Sequence, residues 1–359
     1  DHPCQRAAWR GVGGMTTADQ EIAAAAAKLF APCKIGNLSL KTRIVMPPMT
    51  RCFSPGGVPG DDVAAYYRRR AENDVGLLIT EGAWIPHPGA ANEDNAPRFY
   101  GADALAGWKK VVDEVHAAGG KIMPQLWHVG LQVRPQIEGL YADDGALDPA
   151  QVGPSGMVGG IGRPLTKLAR DMTQADIDSV IDAYATSAHS AWQLGFDGIA
   201  LHGAHGYIID QFLWDKTNLR GDRYGGSIAA RSQFGAEVVA EIRRRTSPDF
   251  PIMMRLSQWK AHDYSAQLAE TPQELEALLA PFVDAGVDIF DCSQRRFWET
   301  EFGSDMNLAG WTRKLSGKPS MTVGSVSLNQ ELFATLFGAT AEPASIDRLI
   351  EMFDRGDFD

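Results

Sequence analysis

The sequence predicts an α/β chain built as a (β/α)8 TIM barrel, and three observations carry that prediction. Short apolar runs recur along the chain, amphipathic helical patterns separate them, and polar residues collect where the runs end. Repeated strand-then-helix units imply a parallel sheet, and right-handed crossovers in this number close most simply into a barrel. The length of 359 residues suits one large barrel.

The runs are RIVMPPM (43–49), VGLLITEG (75–82), KIMPQLWH (121–128), FDGIALHG (196–203), PIMMRLS (251–257), VDIFDCS (287–293) and PSMTVGSV (319–326). They are apolar throughout instead of alternating, as strands buried on both faces are. Between them, DDVAAYYRRRAE (61–72) and ALAGWKKVVDEVHAAGG (104–120) place apolar residues three and four apart, the second closing on glycines that suit a helix end. A helix over 172–195 opens with Thr173 and Asp176 at capping-box spacing, and helices over 227–245 and 271–286 continue the alternation. Seven strands are assigned in this way; an eighth is not accounted for, because DRGDFD stands where it is due. The stretch 130–167, rich in Gly and Pro, lacks helical periodicity and reads as a functional loop.

Composition narrows the function. Hydrophobic residues at 44% and charged residues at 22% are ordinary globular values. A net charge of -11 leaves no basic surplus to neutralise phosphates, which argues against a nucleic-acid partner. Cys4, Cys33, Cys52 and Cys292 are scattered without CxxC spacing, which suits a reducing compartment. No apolar run approaches the roughly 20 residues of a membrane span, and no signal peptide is evident. The expectation is a soluble cytoplasmic protein.

In a barrel, the strand ends carry the site. Those ends are Pro48-Met49-Thr50, Glu81-Gly82, Gln125 with Trp127, His202 with His205 and Tyr207, Arg255, and Gly324-Ser325. Gln125 and Arg255 need polar partners there, and an unpaired Arg invites an anion or an electron-rich ring. In HGAHGYIIDQFLW (202–214), the residue types alone allow metal ligands, an acid–base pair, an anion clamp or a polar turn. A zincin-type pair would need a helix and a neighbouring Glu, whereas Gly203 and Gly206 break the helix and no Glu intervenes. Trp259 and Trp298 read as core or loop anchors, Trp127 as lining of the site, and Cys52 as a packed thiol.

The motifs LFAPCKIGNLSLKTRIVMPPMTR, ITEGAW, PQLWHVG, GFDGIALHGAHGYIIDQFLWDKTNLRGDRYGGS and TVGS together resemble the Old Yellow Enzyme family of FMN-dependent ene-reductases, from about Leu29 to Asp359. The resemblance implies that Pro48, Met49 and Thr50 hold the isoalloxazine ring and that Gly82 and Gln125 contact its pyrimidine edge. It places Arg255 by N1 and O2, and has Gly324 and Ser325 offer N–H groups to the phosphate. His202 and His205 would bond the substrate's electron-withdrawing oxygen, with Trp127 nearby, and Tyr207 would protonate the carbon α to that group. The implied reaction passes a hydride from NADH or NADPH, through the flavin, to the β-carbon of an activated alkene. Phenolic ligands are implied at the same oxygen clamp.

Rival readings are an FMN barrel oxidoreductase acting on other xenobiotics or dienoyl substrates, and a non-flavin barrel enzyme. A Schiff-base enzyme would need a lysine at a strand end, and none of the seven runs ends in Lys. Residues 1–28 read as an N-terminal extension with a helix, and 29–359 as one FMN-binding barrel domain. Family members continue past GDFD with a strand ending in Gly-Arg, whose arginine clamps the phosphate. DHPCQRAAWRGVGG resembles the helix after that strand, so the chain reads as circularly permuted or truncated there. An open seam would expose two strand edges and invite a homo-oligomer.

Overall fold

The computed structural model describes residues 24, 27–133, 147–160, 163–331, 334–335 and 338–359. Most of the expected N-terminal extension (1–28) and the middle of the 130–167 loop lie outside these residues. Each of the seven predicted runs contains a strand. A hairpin of β1 (Cys33–Ile35) and β2 (Leu38–Leu40) leads into β3 (Val45–Met46), β4 (Leu77–Trp84) and β5 (Ile122–Trp127). A second hairpin, β6 (Met157–Gly160) with β7 (Arg163–Lys167), occupies part of the stretch read as loop. Then follow β8 (Ile199–His205), β9 (Ile252–Lys260), β10 (Ile289–Ser293) and β11 (Ser320–Val323). The seven predicted strands form one sheet in the order β11-β10-β9-β8-β5-β4-β3, parallel throughout. This is the curled parallel sheet of a TIM barrel, with β3 and β11 as its edges among the described residues. Between those edges lies Asp359, whose N–H donates to Ser320 O at 2.9 Å and whose carbonyl accepts from Arg43 Nη1 at 2.7 Å.

Strand alternation explains how the sheet separates two environments. Leu78, Ile122, Leu126, Ile199, Leu201, Ile252, Met254, Leu256, Phe290 and Cys292 belong to the large core that includes the helices. The residues between them, Leu77, Ile79, Met123, Ala200, Met253 and Ile289, form a separate cluster closed by Leu38 and Leu40 of the first hairpin. The hairpin therefore plugs the end of the barrel where the strands begin, and leaves the opposite end for polar side chains.

The five expected helices lie close to their predicted bounds, as α1 (Asp61–Ala71), α2 (Ala102–Ala117), α3 (Gln174–Leu194), α5 (Ile228–Arg245) and α6 (Pro272–Ala285), and a short α4 (Ile208–Leu213) that was not expected follows β8. The capping box at Thr173 and Asp176 is present in both directions, and Gly195 ends α3 in the left-handed conformation at φ 86°. Among the described residues no helix is long and apolar enough to cross a membrane.

One expectation is overturned. Strand β9 runs three residues past its predicted end and finishes in Lys260, so one strand does end in lysine. The extension is Gln258, Trp259 and Lys260, in which polar residues flank a single apolar one, so the continuous apolar run stops before it. The amine is not presented as a nucleophile: Lys260 is fully buried and donates to Asp210 Oδ1 at 2.7 Å.

Thr173→Ala should test the α3 start, because it removes the hydroxyl that accepts from Asp176 N–H and strands that donor. The expected cost is about 1 kcal/mol, read as a lower urea midpoint with an unchanged slope. An unchanged midpoint would show the cap to be dispensable.

Candidate active site

Following the inward side chains along each strand leads from the plugged end into a polar layer. Met123 gives way to Gln125, Ala200 to His202, Met253 to Arg255, and Ile289 to Asp291 and then Ser293. Cross-strand register ties the layer together, since Arg255 pairs with His202 on one side and Asp291 on the other. Arg255, 6% exposed, donates from Nη1 to Asp291 Oδ2 at 2.9 Å and from Nη2 to Ser293 Oγ at 3.2 Å. The expectation of an unpaired strand arginine is thus corrected in part: the guanidinium has a carboxylate partner, while its Nε stays buried without one. Gln125 Nε2, Trp127 Nε1, His202 Nδ1 and Asp291 Oδ1 are likewise buried with no partner among the described residues.

The two histidines reach one site by a local irregularity. Three residues apart on a straight strand, they would face opposite sides. Here Gly203 pairs with Leu256 but His205 pairs with Lys260, so β9 gains residues on β8 across that step. His205 also takes φ 64°, a conformation uncommon outside glycine but less so for His. The His202 and His205 rings then meet edge to face at 5.2 Å. Tyr207, at the N-cap of α4, lies edge-on to His202 at 4.7 Å and to Trp127 at 4.9 Å. His205 stacks on Trp259 at 4.5 Å, and its Nε2 lies 2.8 Å from Ser293 Oγ. A guanidinium only donates, so Ser293 Oγ accepts from Arg255, and its own hydrogen can go to His205 Nε2. In that tautomer His205 carries its proton on Nδ1.

The cofactor-binding candidates occupy the same rim. Pro48, Met49 and Thr50 follow β3, with Met49 and Thr50 exposed. Their loop is fastened by buried Glu81, which accepts from Arg51 N at 3.1 Å and from Arg51 Nη2 at 3.0 Å. Gly82 lies across from Gln125 on β5, and a Cβ on it would stand 2.4 Å from Trp127 Cε3. Only glycine lets the Trp127 indole lie there, stacked on Trp84 at 4.0 Å. Gly324 (φ 138°) and Ser325 (φ 51°) form the turn after β11, and Ser325 Oγ contacts the carbonyls of Arg295 and Gln330.

Sequence reasoning missed Asp291 and Ser293, and it reads Trp259 as a core or loop anchor and not as part of the site. Asp291 and Ser293 are polar at alternate positions of an apolar run, on the face of Ile289, and that spacing was a usable signal. For Trp259, which lies past the apolar part of β9, no signal of that kind exists.

Burial pushes His202 well below the usual imidazole value, helped by the Arg255 charge. His205 is displaced the same way by burial, His202, Arg255 and Lys260. Both are therefore neutral donors near neutral pH. His128, fully buried, is also pushed well down by burial and by His87.

Residues 28–337 match the NADH:flavin oxidoreductase / NADH oxidase family. The chain is 39% identical over 227 residues to 12-oxophytodienoate reductase 7 of Oryza sativa subsp. japonica, covering 60% of this chain and 55% of that one. It is 32% identical over 309 residues to an NADH oxidase of Thermoanaerobacter brockii, covering 83% of this chain and 45% of the relative. Morphinone reductase, solved in complex with tetrahydroNAD, superposes with a TM-score of 0.69 at 25% identity, over 92% of this chain and 85% of that one. The chain spans little more than half the length of the first curated relatives it matches, 55%, 58% and 54%.

The low histidine pKa values set a pH dependence. Below 6.5 the unfolded chain takes up protons that the folded chain refuses, so stability falls as pH drops. Buried His128 and His202 should each remove about 1 kcal/mol between pH 6.5 and pH 5.5. Urea unfolding across that window should show the decline, and His202→Asn should lessen it by the His202 share while the His128 share remains. An equal slope in the variant would mean that His202 takes up its proton in the folded chain as readily as in the unfolded one.

Proposed function

The chain belongs to the NADH:flavin oxidoreductase / NADH oxidase family, the Old Yellow Enzymes, and we propose that it is an ene-reductase for alkenes activated by a carbonyl or nitro group. The observation that supports this reading is the buried polar layer in which the donors Gln125 Nε2 and Arg255 Nε, and the ring nitrogen His202 Nδ1, have no partner among the described residues. Leaving such groups unpaired is costly, so the layer, which also holds the unpartnered Asp291 Oδ1, fits a planar ligand with both acceptors and donors along its edge. FMN, the family's cofactor, presents ring nitrogens and carbonyl oxygens on its pyrimidine edge, and the residues present fit it. Pro48, Met49 and Thr50 would hold the ring, Gly82, Gln125 and Arg255 its pyrimidine edge, and Gly324 and Ser325 the phosphate. When bound, FMN supplies to the β-carbon of the alkene a hydride taken from NADH or NADPH.

The chain's own work lies at the substrate oxygen and the α-carbon. His202 and His205 donate hydrogen bonds to the oxygen on which negative charge accumulates. Being neutral, they stabilise that charge without surrendering a proton to it. Tyr207, wedged between Trp127 and His202, donates its phenolic proton to the α-carbon. Trp127 forms the wall behind Tyr207. A phenol would place its oxygen between the same two imidazoles.

Replacing His202 and His205 together by Ala should leave FMN bound and abolish the long-wavelength band that a phenolate gives over an oxidised flavin. Phenol binding that survives the double change would mean the oxygen clamp is misassigned. Release of FAD, or failure to take up added FMN, would sink the whole reading.

Tyr207→Phe should leave flavin reduction by NAD(P)H nearly unchanged while slowing enone reduction on the order of 100-fold. The loss should shrink for nitroalkenes, whose nitronate product survives to be protonated by water. Stopped-flow measurement of the two half-reactions separates them. Equal slowing of both would make Tyr207 a flavin-positioning residue.

A further inference from the structure

The turn that presents His205 and Tyr207 is held from beneath by groups outside the proposed chemistry. Its central peptide groups belong to Gly206, which follows His205 and shares its left-handed backbone at φ 89°. Two consecutive left-handed residues take the chain off the β8–β9 ladder, so their polar groups need other partners. The Gly206 N–H donates to Asp210 Oδ2 at 2.6 Å, and the Gly206 carbonyl accepts from Gln211 Nε2 at 2.8 Å. Gln211 N–H in turn donates to the Tyr207 carbonyl at 2.7 Å. Asp210 and Gln211 lie on α4, which Tyr207 caps, so the turn and the helix grip each other.

Asp210 is fully buried, and a lone carboxylate there would be expensive. Its other oxygen receives Lys260 Nζ at 2.7 Å, from a lysine that is itself fully buried at the end of β9. Lys260 also pairs with His205 in the strand register and donates to Ser257 O at 3.4 Å. Ser257 closes the circuit, because its Oγ accepts from His205 N–H at 3.1 Å. Burial drives Asp210 up and Lys260 down, each countered by the other's charge. Wherever the shared proton sits, Oδ2 still accepts from Gly206.

We propose that Lys260 is a positioning residue: by balancing Asp210 it fixes the Gly206 turn, and so fixes where His205 and Tyr207 meet the substrate. The consequence for catalysis rests on the proposed roles of those two residues. The holding of the turn does not.

The test uses the FMN-loaded protein, 15N-glycine labelling and p-chlorophenol as the probe. Lys260→Met keeps the stem and removes the charge. It should retain FMN, shift the Gly206 amide resonance, and weaken p-chlorophenol binding by about ten- to 100-fold. Enone reduction should slow with it, while flavin reduction is spared. Adding Asp210→Asn removes the buried charge and keeps an acceptor for Gly206, so the double variant should recover the amide position and the phenol affinity. A lysine that merely stabilises the fold would not be relieved at those two readouts by its partner's neutralisation. An unmoved Gly206 amide with unchanged phenol binding in Lys260→Met overturns the proposal. So does a folded, FMN-loaded double variant that recovers neither. If Lys260→Met alone does not fold, the double variant decides by the same two readouts. A wild-type protein that binds no phenol would count against the histidine clamp, and the Gly206 amide would still decide the role of Lys260.

Discussion

Side chains on a β-strand alternate between its two faces, and in a curled parallel sheet that parity decides what every other part of the molecule can be. Residues of one parity meet the helices and must be apolar; those of the other parity meet one another on the concave side. Near the strand starts the concave residues are apolar as well, sealed by Leu38 and Leu40 of the β1–β2 hairpin. Two residues further along each strand, the same face carries Gln125, His202, Arg255 and Asp291. A one-residue slip of any strand would exchange these for core residues, so the register that builds the fold also builds the site. The hairpin's position is part of that logic, because it excludes water from the end that has no chemistry.

Placing an arginine in such a layer creates a difficulty that its neighbours resolve. Asp291 accepts one arm of Arg255 and Ser293 the other, which settles most of the charge and leaves Nε facing the layer. The positive field that remains acts on the imidazoles. It adds to burial in holding His202 and His205 neutral. The arginine at the proposed flavin edge and the histidines at the proposed substrate oxygen are thus one electrostatic unit, joined through Ser293.

Most of the architecture was legible because buried parallel strands and amphipathic helices each leave a periodic trace. Thr173 and Asp176 announced a helix start from their types and spacing alone, and the capping box is there. Each of the seven apolar runs marks a strand, yet β9 extends three residues beyond its run because Gln258, Trp259 and Lys260 do not continue the apolar stretch. The β6–β7 hairpin was read as loop, since Met157–Gly160 contains two glycines and Arg163–Lys167 includes a proline, weak strand material by composition. His202, His205 and Tyr207 were assigned through family resemblance. Periodicity alone would have set the two histidines on opposite faces of β8. What overrode it was tertiary: an irregular β8–β9 step and a left-handed His205, neither of which has a signature in nearest-neighbour sequence.

That irregular step also explains why an ion pair lies buried under it. A regular ladder would satisfy the backbone of residues 205–207 with neutral hydrogen bonds. Once the chain leaves the ladder, a carboxylate is a stronger acceptor for the stranded Gly206 N–H than a neutral group would be. A buried carboxylate demands a cation, and the extra residues of β9 bring Lys260 beneath the turn to supply it. The cation then acts a second time, because its charge is among those that keep His205 unprotonated. Where the ladder breaks to bring two histidines together, a buried charge pair stands in for it. The lysine of that pair, in turn, helps keep His205 in the neutral form the proposed oxygen clamp uses.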